Sequence, residues 1–421
     1  MLDIRFLKDN IDSVINSVIK RKVKADPKLV IELYDKRNII QQRLDEIRNK
    51  KNENANKMKG VLPKEEREIL IEEGKEFKTK IAALEIEEKE IDIQYKNEAT
   101  KLPNIIDDTV PVGGEADSVE LYRVGKIREF DFTPKDHYEL ALNLDILDFE
   151  SAANVVGQKF YYLKNEGAIL ELALINFAMK KLYKRGFTPY LTPDLARSSI
   201  LEGLGFNPRG DETNIYSIKD SDLCLIGTAE ITIGGLNHNK ILNDSELPLK
   251  IAGFSHCFRT EAGAAGLSTK GLYRVHQFSK VEMFIICRPN ESKDFLETLR
   301  DIEEEIFKEL EIPYRVLNIA SGDLGNPAYK KYDLEAWMPG RNSYGEVTST
   351  SNCTDYQSRR LNIRYKDKDG KNHFVHMLNG TAIAVPRAII SILENFQTKD
   401  GNVKIPKCLI PFTDFEEVKK K

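Results

Sequence analysis

Two heptad runs between residues 28 and 98 constrain this chain more than any other feature. From Lys28 to Lys59 apolar residues fall at Val30, Leu33, Ile40, Leu44, Ile47 and Met58, with Arg37, Lys51 and Asn54 on the remaining steps of an alternating three-and-four spacing. From Lys64 to Glu98 the rhythm returns through Leu70, Phe77, Ile81, Leu84, Ile91 and Tyr95, with Gly74 and Glu88 as its weak positions. A repeat of this period calls for helices that pair along one seam. Gly60-Val61-Leu62-Pro63 lies between the runs, where Gly ends one helix and Pro is tolerated in the first turn of the next. So short a link makes the two helices antiparallel. At about 1.5 Å per residue each spans roughly 45 Å, far more than a compact domain accommodates.

Charge along this arm is uneven. The first helix is net +4 and the second −5, so one face can meet phosphate while the other repels it. Arg37, Arg43, Arg48 and Lys51 are the basic candidates on the first helix. The 421-residue chain as a whole carries a formal charge of −4, so any nucleic-acid binding must come from such local basic surface. With 41% hydrophobic and 31% charged residues it reads as a soluble protein of two or three domains. No apolar run approaches the ~20 residues that span a bilayer. The opening stretch, Leu2 to Lys20, reads as an amphipathic helix rather than a secretory signal. Cys224, Cys257, Cys287, Cys353 and Cys408 are far apart with no C-x-x-C pair, which argues against a zinc site or a disulfide framework and fits a reducing, cytoplasmic location.

Residues 102–150 read as a connector, because Pro103, Pro111, Gly113, Gly114 and Pro134 break any long period. After Ser151 an amphipathic helix is predicted from Ala168 to Arg185. Short β-rich runs follow at Leu249 to Arg259, Leu272 to Cys287, Tyr314 to Ile319, Tyr332 to Met338 and Gly345 to Ser349. A last helix runs from Pro386 to Phe396, with Pro in its first turn. The expected fold class is α+β: an N-terminal domain (1–101) bearing the coiled-coil arm (about 28–98), then an antiparallel β-sheet flanked by helices (151–421).

Three stretches carry chemistry. Lys184 to Pro193 is a helix end, a Gly and a strand closing on Pro. Phe258-Arg259-Thr260-Glu261-Ala262-Gly263 enters a loop of small and basic residues, from which Gly271 to Phe278 returns as a strand. Leu378-Asn379-Gly380-Thr381-Ala382-Ile383-Ala384-Val385-Pro386-Arg387 leads a strand into the last helix. In this order they resemble motifs 1, 2 and 3 of class II aminoacyl-tRNA synthetases. The resemblance implies that motif 1 forms a homodimer interface and that Arg259 and Arg387 are the catalytic arginines. Activating a carboxylate with ATP builds negative charge at the α-phosphate, and a guanidinium stays protonated and forks onto two oxygens. By the same resemblance Arg259, Thr260, Glu261, Phe278, Glu346, Val347, Thr348, Ser349 and Arg387 bind ATP. Glu261 takes the adenine amino group, and adenine lies between Phe278 and Arg387. Glu346 and Ser349 are carried over as Mg²⁺ ligands, since that ion takes hard oxygens and few protein groups. The family commonly has Gly where this chain has Pro386, and the role of Glu335 is left open.

Other residues narrow the resemblance to the seryl-tRNA synthetase family. Thr228-Ala229-Glu230 matches that family's serine-binding triplet, Glu282 matches its second serine-binding carboxylate, and Asn379 with Thr381 closes the pocket; Arg259 meets the same substrate. A hydroxymethyl side chain offers little apolar area, so hydrogen bonds must do the selecting. The resemblance covers almost the whole chain. It implies that the arm grips the long variable arm of serine tRNA, a shape cue, and it leaves open whether selenocysteine tRNA is also charged.

Overall fold

A computed structural model describes residues 2–207, 214–261 and 271–421, in two compact units, Met1–Ile105 and Ile106–Lys421. In the first unit the opening stretch is two helices, not one: α1 (Ile4–Asp9) and α2 (Ile11–Lys20). They part at Asn10, whose side-chain amide donates to the Phe6 carbonyl and closes the first helix. The arm starts at Asp26, whose carboxylate accepts from the Lys28 and Leu29 amides, with Pro27 at the first helical position of α3 (Pro27–Lys57). After the Gly60–Pro63 turn, α4 runs Lys64–Lys101.

The seam lies where the heptads put it. Val30, Leu33, Ile40 and Leu44 are buried on α3, and Tyr95 and Ala99 on α4. Along the rest of α4 the half-buried positions include Leu70, Gly74, Phe77, Ile81, Leu84, Glu88 and Ile91, against exposed neighbours. Two strands of a coiled coil cannot fully bury their seam, so the outer arm stays half-wet. Arg37, a charged seam position, pairs with Asp92 at 3.4 Å and covers the Tyr95 ring at 5.6 Å. At the base, Leu7, Val14 and Val18 from α1 and α2 join Leu33, Tyr95 and Leu102 in one apolar cluster.

The second unit is built on an eight-stranded sheet: β1 (Val119–Val124), β2 (Thr188–Leu191), β3 (Leu249–Phe258), β4 (Gln277–Cys287), β5 (Tyr314–Asn318), β6 (Lys330–Met338), β7 (Ser343–Asn352) and β8 (His376–Ala384). Their order is β1-β5-β6-β7-β8-β4-β3-β2. All neighbours are antiparallel, as expected, except the edge strand β2, which runs parallel to β3. Residues 106–150, expected as a connector, instead supply edge strand β1 and helix α5 (His137–Asn143) to this unit.

Both faces of the sheet are covered. Along β4, Val281, Met283 and Ile285 enter a core that also contains side chains of α6 (Glu166–Lys184), α8 (Ser292–Glu309) and α10 (Val385–Phe396). Phe284 and Ile286 point the other way, into a second core with Leu204, Ile231 of α7 (Glu230–Gly234) and Leu361 of α9 (Tyr356–Leu361). Period-2 alternation therefore puts Lys280 and Glu282 on the same face as Phe284, where α7 covers the sheet.

Leu44→Ala would remove a fully buried seam side chain. It should destabilise the first unit by about 2–4 kcal/mol. Urea denaturation followed by helical circular dichroism reads this; an unshifted arm transition would mean that the seam does not carry its stability.

Candidate active site

The sheet bends out of strict alternation where chemistry is needed. Glu346 and Ser349 are three residues apart on β7, and in a regular strand they would face opposite sides. Between Leu334↔Thr348 and Glu335↔Glu346 the pairing gains one residue on β7, a β-bulge. Val347 and Thr348 are consequently both buried on one side, while Glu346 and Ser349 are both part-exposed on the other. Beneath the bulge the Thr348 hydroxyl donates to Glu303 of α8 at 3.0 Å. Burial pushes the Glu303 carboxyl well above the ordinary carboxylate range.

A cavity of about 340 Å³ lies on the outer side of that bulge. Its walls include Arg259, Glu261, Phe278, Glu346, Val347, Thr348, Ser349, Thr381 and Arg387, nine of the residues singled out from sequence. It shares Arg274, Lys331, Glu346 and Arg387 with a wider cleft of about 1190 Å³. Arg387, in the first turn of α10, holds the Glu346 carboxylate at 3.2 Å and its carbonyl at 3.0 Å. Pro386 fits the helix start without disturbing this. Arg259 leaves the end of β3, donates to the Gly227 carbonyl at 3.3 Å and lies over Phe278 at 5.3 Å. Arg387 rests instead on Tyr273, 5.0 Å from its ring centre.

Glu261 lies past the end of β3, which stops at Phe258; it has φ +52° and its carboxylate pairs with Arg274 at 3.1 Å. Thr260 does not line the cavity, and its amide donates to the Asn214 carbonyl. Ala262, Gly263 and the loop after them lie outside the described residues. Glu335 lines the wider cleft and is paired with Arg315 at 2.6 Å.

The electrostatics sort the carboxylates. Burial alone would raise Glu346, but Arg387 and Lys331 outweigh it and hold its carboxyl below the ordinary value. Burial pushes Asp333 up to about 8, against the pull of Lys331 at 3.2 Å. The neighbouring cations thus favour charge on Glu346, whereas burial disfavours it on Asp333. Ionised Glu346 beside the Ser349 hydroxyl is a hard-oxygen pair facing the cavity, and so fits Mg²⁺. Among the described residues no group of three His, Cys, Asp or Glu side chains converges on a metal position, so any ion here must take its remaining ligands from substrate and water.

Deeper in lies a second set. Gly253, Glu282 and Thr381 stand in register across β3, β4 and β8. Because Gly253 lacks a side chain, Ala229 at the start of α7 packs close on the sheet; a Cβ at Gly253 would come within 3.1 Å of the Ala229 Cβ. That closeness brings Glu230 over the sheet, where Asn379 donates to it at 3.1 Å and Gln357 at 2.7 Å. The Thr228 hydroxyl accepts from the Glu230 amide at 3.2 Å. Glu282 pairs with Lys280 at 2.5 Å and receives the Thr381 hydroxyl at 3.4 Å. Burial, then the charge of Glu282, push Glu230 up to about 7. The two carboxylates thus belong to one largely buried polar cluster, close enough for the charge of Glu282 to act on Glu230.

Sequence reasoning missed Lys280, Lys331, Arg274 and Gln357. Lys280 and Glu282, and Lys331 and Asp333, stand two apart on strands that are otherwise buried; charges at that spacing were the available signal.

The comparisons decide the family. Residues 1–106 match the family model for the seryl-tRNA synthetase N-terminal domain, and residues 215–396 that for the tRNA synthetase class II core domain (G, H, P, S and T). The chain is 56% identical to the serine–tRNA ligase of Borreliella afzelii over 422 residues, 99% of each chain. It is 52% identical to that of Treponema denticola over 421 residues, 99% of this chain and 100% of the relative. The chain belongs to the seryl-tRNA synthetase family. Membership makes it a class II aminoacyl-tRNA synthetase, a serine–tRNA ligase. Among solved structures it superposes on the seryl-tRNA synthetase of Pyrococcus horikoshii complexed with ATP, at TM-score 0.91 and 42% identity with full coverage of both chains. The cytoplasmic serine–tRNA ligase of Naegleria fowleri in complex with AMP follows at 0.86 and 32%, covering 100% of this chain and 99% of that one. The prolyl-tRNA synthetase of Giardia lamblia, at 0.55 and 17% over 66% of this chain and 56% of that one, shares the fold alone.

Proposed function

We propose that the cavity beside Arg259, Glu346 and Arg387 binds ATP, that the pocket between Glu230 and Glu282 binds serine, and that the serine carboxylate attacks the α-phosphate to give seryl-adenylate and pyrophosphate. The observation that carries this is the convergence of two guanidinium groups and one ionised carboxylate on the same cavity wall, which also includes Lys280 and Thr381, the partners of Glu282. Arg259 lies between the two and stabilises charge that builds on the α-phosphate. Adenine enters between Phe278 and Arg387, displacing the contact Phe278 now makes with Arg259, while Arg387 stays on the Tyr273 ring. Mg²⁺, held by Glu346 and Ser349, would neutralise phosphate charge when bound. Glu230 and Glu282 meet the serine ammonium, and Thr381 with Asn379 bounds its side chain.

The arm meets serine tRNA through phosphate and shape contacts. Arg37 and Arg48 are engaged across the seam, with Asp92 and with Glu85 at 2.9 Å, while Arg43 and Lys51 are exposed. Of the four basic candidates, Arg43 and Lys51 are therefore the better placed for phosphate. The enzyme works as a homodimer. β2 is an edge strand exposed along all four residues, and Leu191 beside Leu172 and Tyr183 of α6 leaves apolar surface for a second copy. All five cysteines are free, which suits the reducing cytoplasm. No helix among the described residues is long and apolar enough to cross a membrane.

Arg259→Ala should reduce serine-dependent ATP–pyrophosphate exchange by about a thousandfold without unfolding the chain. Exchange within a few-fold of wild type would refute the role. Replacing residues 28–98 with a short linker should spare exchange and cripple transfer to tRNA; equal loss of both would assign the arm to folding instead. A third outcome concerns pH. Since Glu230 carries a pKa of about 7 in the free enzyme and the ammonium needs its ionised form, serine binding should strengthen as pH rises through 7 and level off above. The KM for serine should fall about tenfold from pH 6 to pH 8, and Glu230→Gln should flatten that dependence at a higher KM. A flat wild-type profile would remove Glu230 from the ammonium site.

A further inference from the structure

His137 opens α5, in the stretch that sequence alone reads as a connector, and is 8% exposed. Its backbone amide and its Nδ1 both donate to Oε1 of Glu394, each at 3.0 Å, and the other Glu394 oxygen accepts the Gly340 amide at 2.9 Å. On the far side of the ring, Nε2 faces the Leu272 amide at 3.2 Å. An amide can only donate, so Nε2 is the acceptor, and Nδ1 carries the hydrogen that Glu394 receives. One neutral imidazole tautomer satisfies both partners.

The approach is close on two sides. A Cβ on Gly271, which has φ +75°, would come within 2.4 Å of His137 Nε2, and one on Gly340 within 2.5 Å of the Asp136 Cα. Glycine at both positions lets the imidazole reach the backbone.

These contacts close a circuit through the nucleotide cavity. Arg387 and Glu394 are seven residues apart on α10, two turns along the same face. Glu394 holds His137, and His137 holds Leu272 in the strand-ward return of motif 2. The next residue, Tyr273, carries Arg387 on its ring at 5.0 Å and Arg341 at 4.8 Å. We infer that His137 is a positioning residue for ATP: it locks the returning segment of motif 2 to the motif 3 helix, so that Tyr273 holds the Arg387 guanidinium at the height the nucleotide requires. The inference rests on the ATP reading of this cavity. The serine pocket hangs on other elements, through Glu230 on α7, Glu282 on β4 and Thr381 on β8, and His137 touches none of them.

Two substitutions in the full-length enzyme separate the two halves of the ring. His137→Asn keeps a donor near the Nδ1 position for Glu394 but has nothing to accept the Leu272 amide. His137→Gln places an oxygen near the Nε2 position and restores that acceptor. In serine-dependent ATP–pyrophosphate exchange, H137N should raise the KM for ATP about tenfold, with the KM for serine within about twofold of wild type, and H137Q should return the ATP value to within about threefold. Equal increases in both KM values, an unchanged ATP KM in H137N, or H137Q as impaired as H137N would each overturn the inference. Absence of exchange in the wild-type enzyme would instead defeat the ATP reading itself.

Discussion

A charge on the inner face of a central strand costs several kcal/mol unless its partners are already in place. Lys280, Glu282, Lys331, Asp333, Glu346 and Arg387 all lie on strands of the sheet or on the helix that leaves it. Each has an acidic or basic partner of the opposite kind within 3.2 Å: Lys280 with Glu282, Lys331 with Asp333, Arg387 with Glu346. The pairing holds the site open and polar before any substrate arrives. A substrate that brings its own charges, phosphates toward the arginines and an ammonium toward the carboxylates, replaces partners rather than creating a new requirement. Glu230 is the exception. It sits over the sheet with only amide donors from Gln357 and Asn379, and burial lifts its pKa accordingly. Glu230, held by neutral donors and, among the described residues, by no cation within salt-bridge distance, is the carboxylate that faces the position proposed for the ammonium.

The other face of the sheet makes this arrangement affordable. Val281, Met283 and Ile285 anchor β4 in the larger core while Lys280 and Glu282 alternate with them. A strand so held cannot slip in register without burying its charges against α8 and exposing its apolar side chains. The bulge in β7 uses the same rigidity. One additional residue turns Glu346 and Ser349 to the same side, and the Glu303 carboxyl under Thr348 accepts its hydroxyl from behind.

Legibility from sequence followed the range of the interaction. The arm was readable because its period is local: every seam position from Val30 to Tyr95 can be named from spacing, and the Gly60–Pro63 turn fixes the antiparallel return. Buried polar residues were not readable by pattern. Glu346 and Ser349 break the period of two, so only their likeness to a known family singled them out, and no local rule announces a bulge. Lysines default to the surface, which hid Lys280 and Lys331. The stretch 106–150 reads as a linker because β1 is an edge strand with exposed and half-buried positions and no apolar run. The direction of β2 depends on the path of α6 from one edge of the sheet to the next, and nothing in Thr188–Leu191 encodes it. His137 lies 135 residues from Leu272 and 257 from Glu394, so the tether exists only once the fold has closed.

Imperfections in the arm have a different logic. Asn54 is 5% exposed within the seam, donates to Glu73 at 2.9 Å and faces Gly74, whose missing Cβ would stand 3.6 Å from its side-chain oxygen. A shift of α4 by one heptad would set the Asn54 amide against Phe77 and Ile81 or against Leu70, and would separate Arg37 from Asp92. The Asn54 mismatch strands a buried polar group at a cost of about 1–3 kcal/mol. Apolar residues at those seam positions would bind more tightly and tolerate several registers, whereas Asn54, Gly74 and Arg37 accept one. An arm that meets a folded RNA by its shape needs its length and the placement of its basic residues fixed, and the weak positions of the heptad repeat are what fix them.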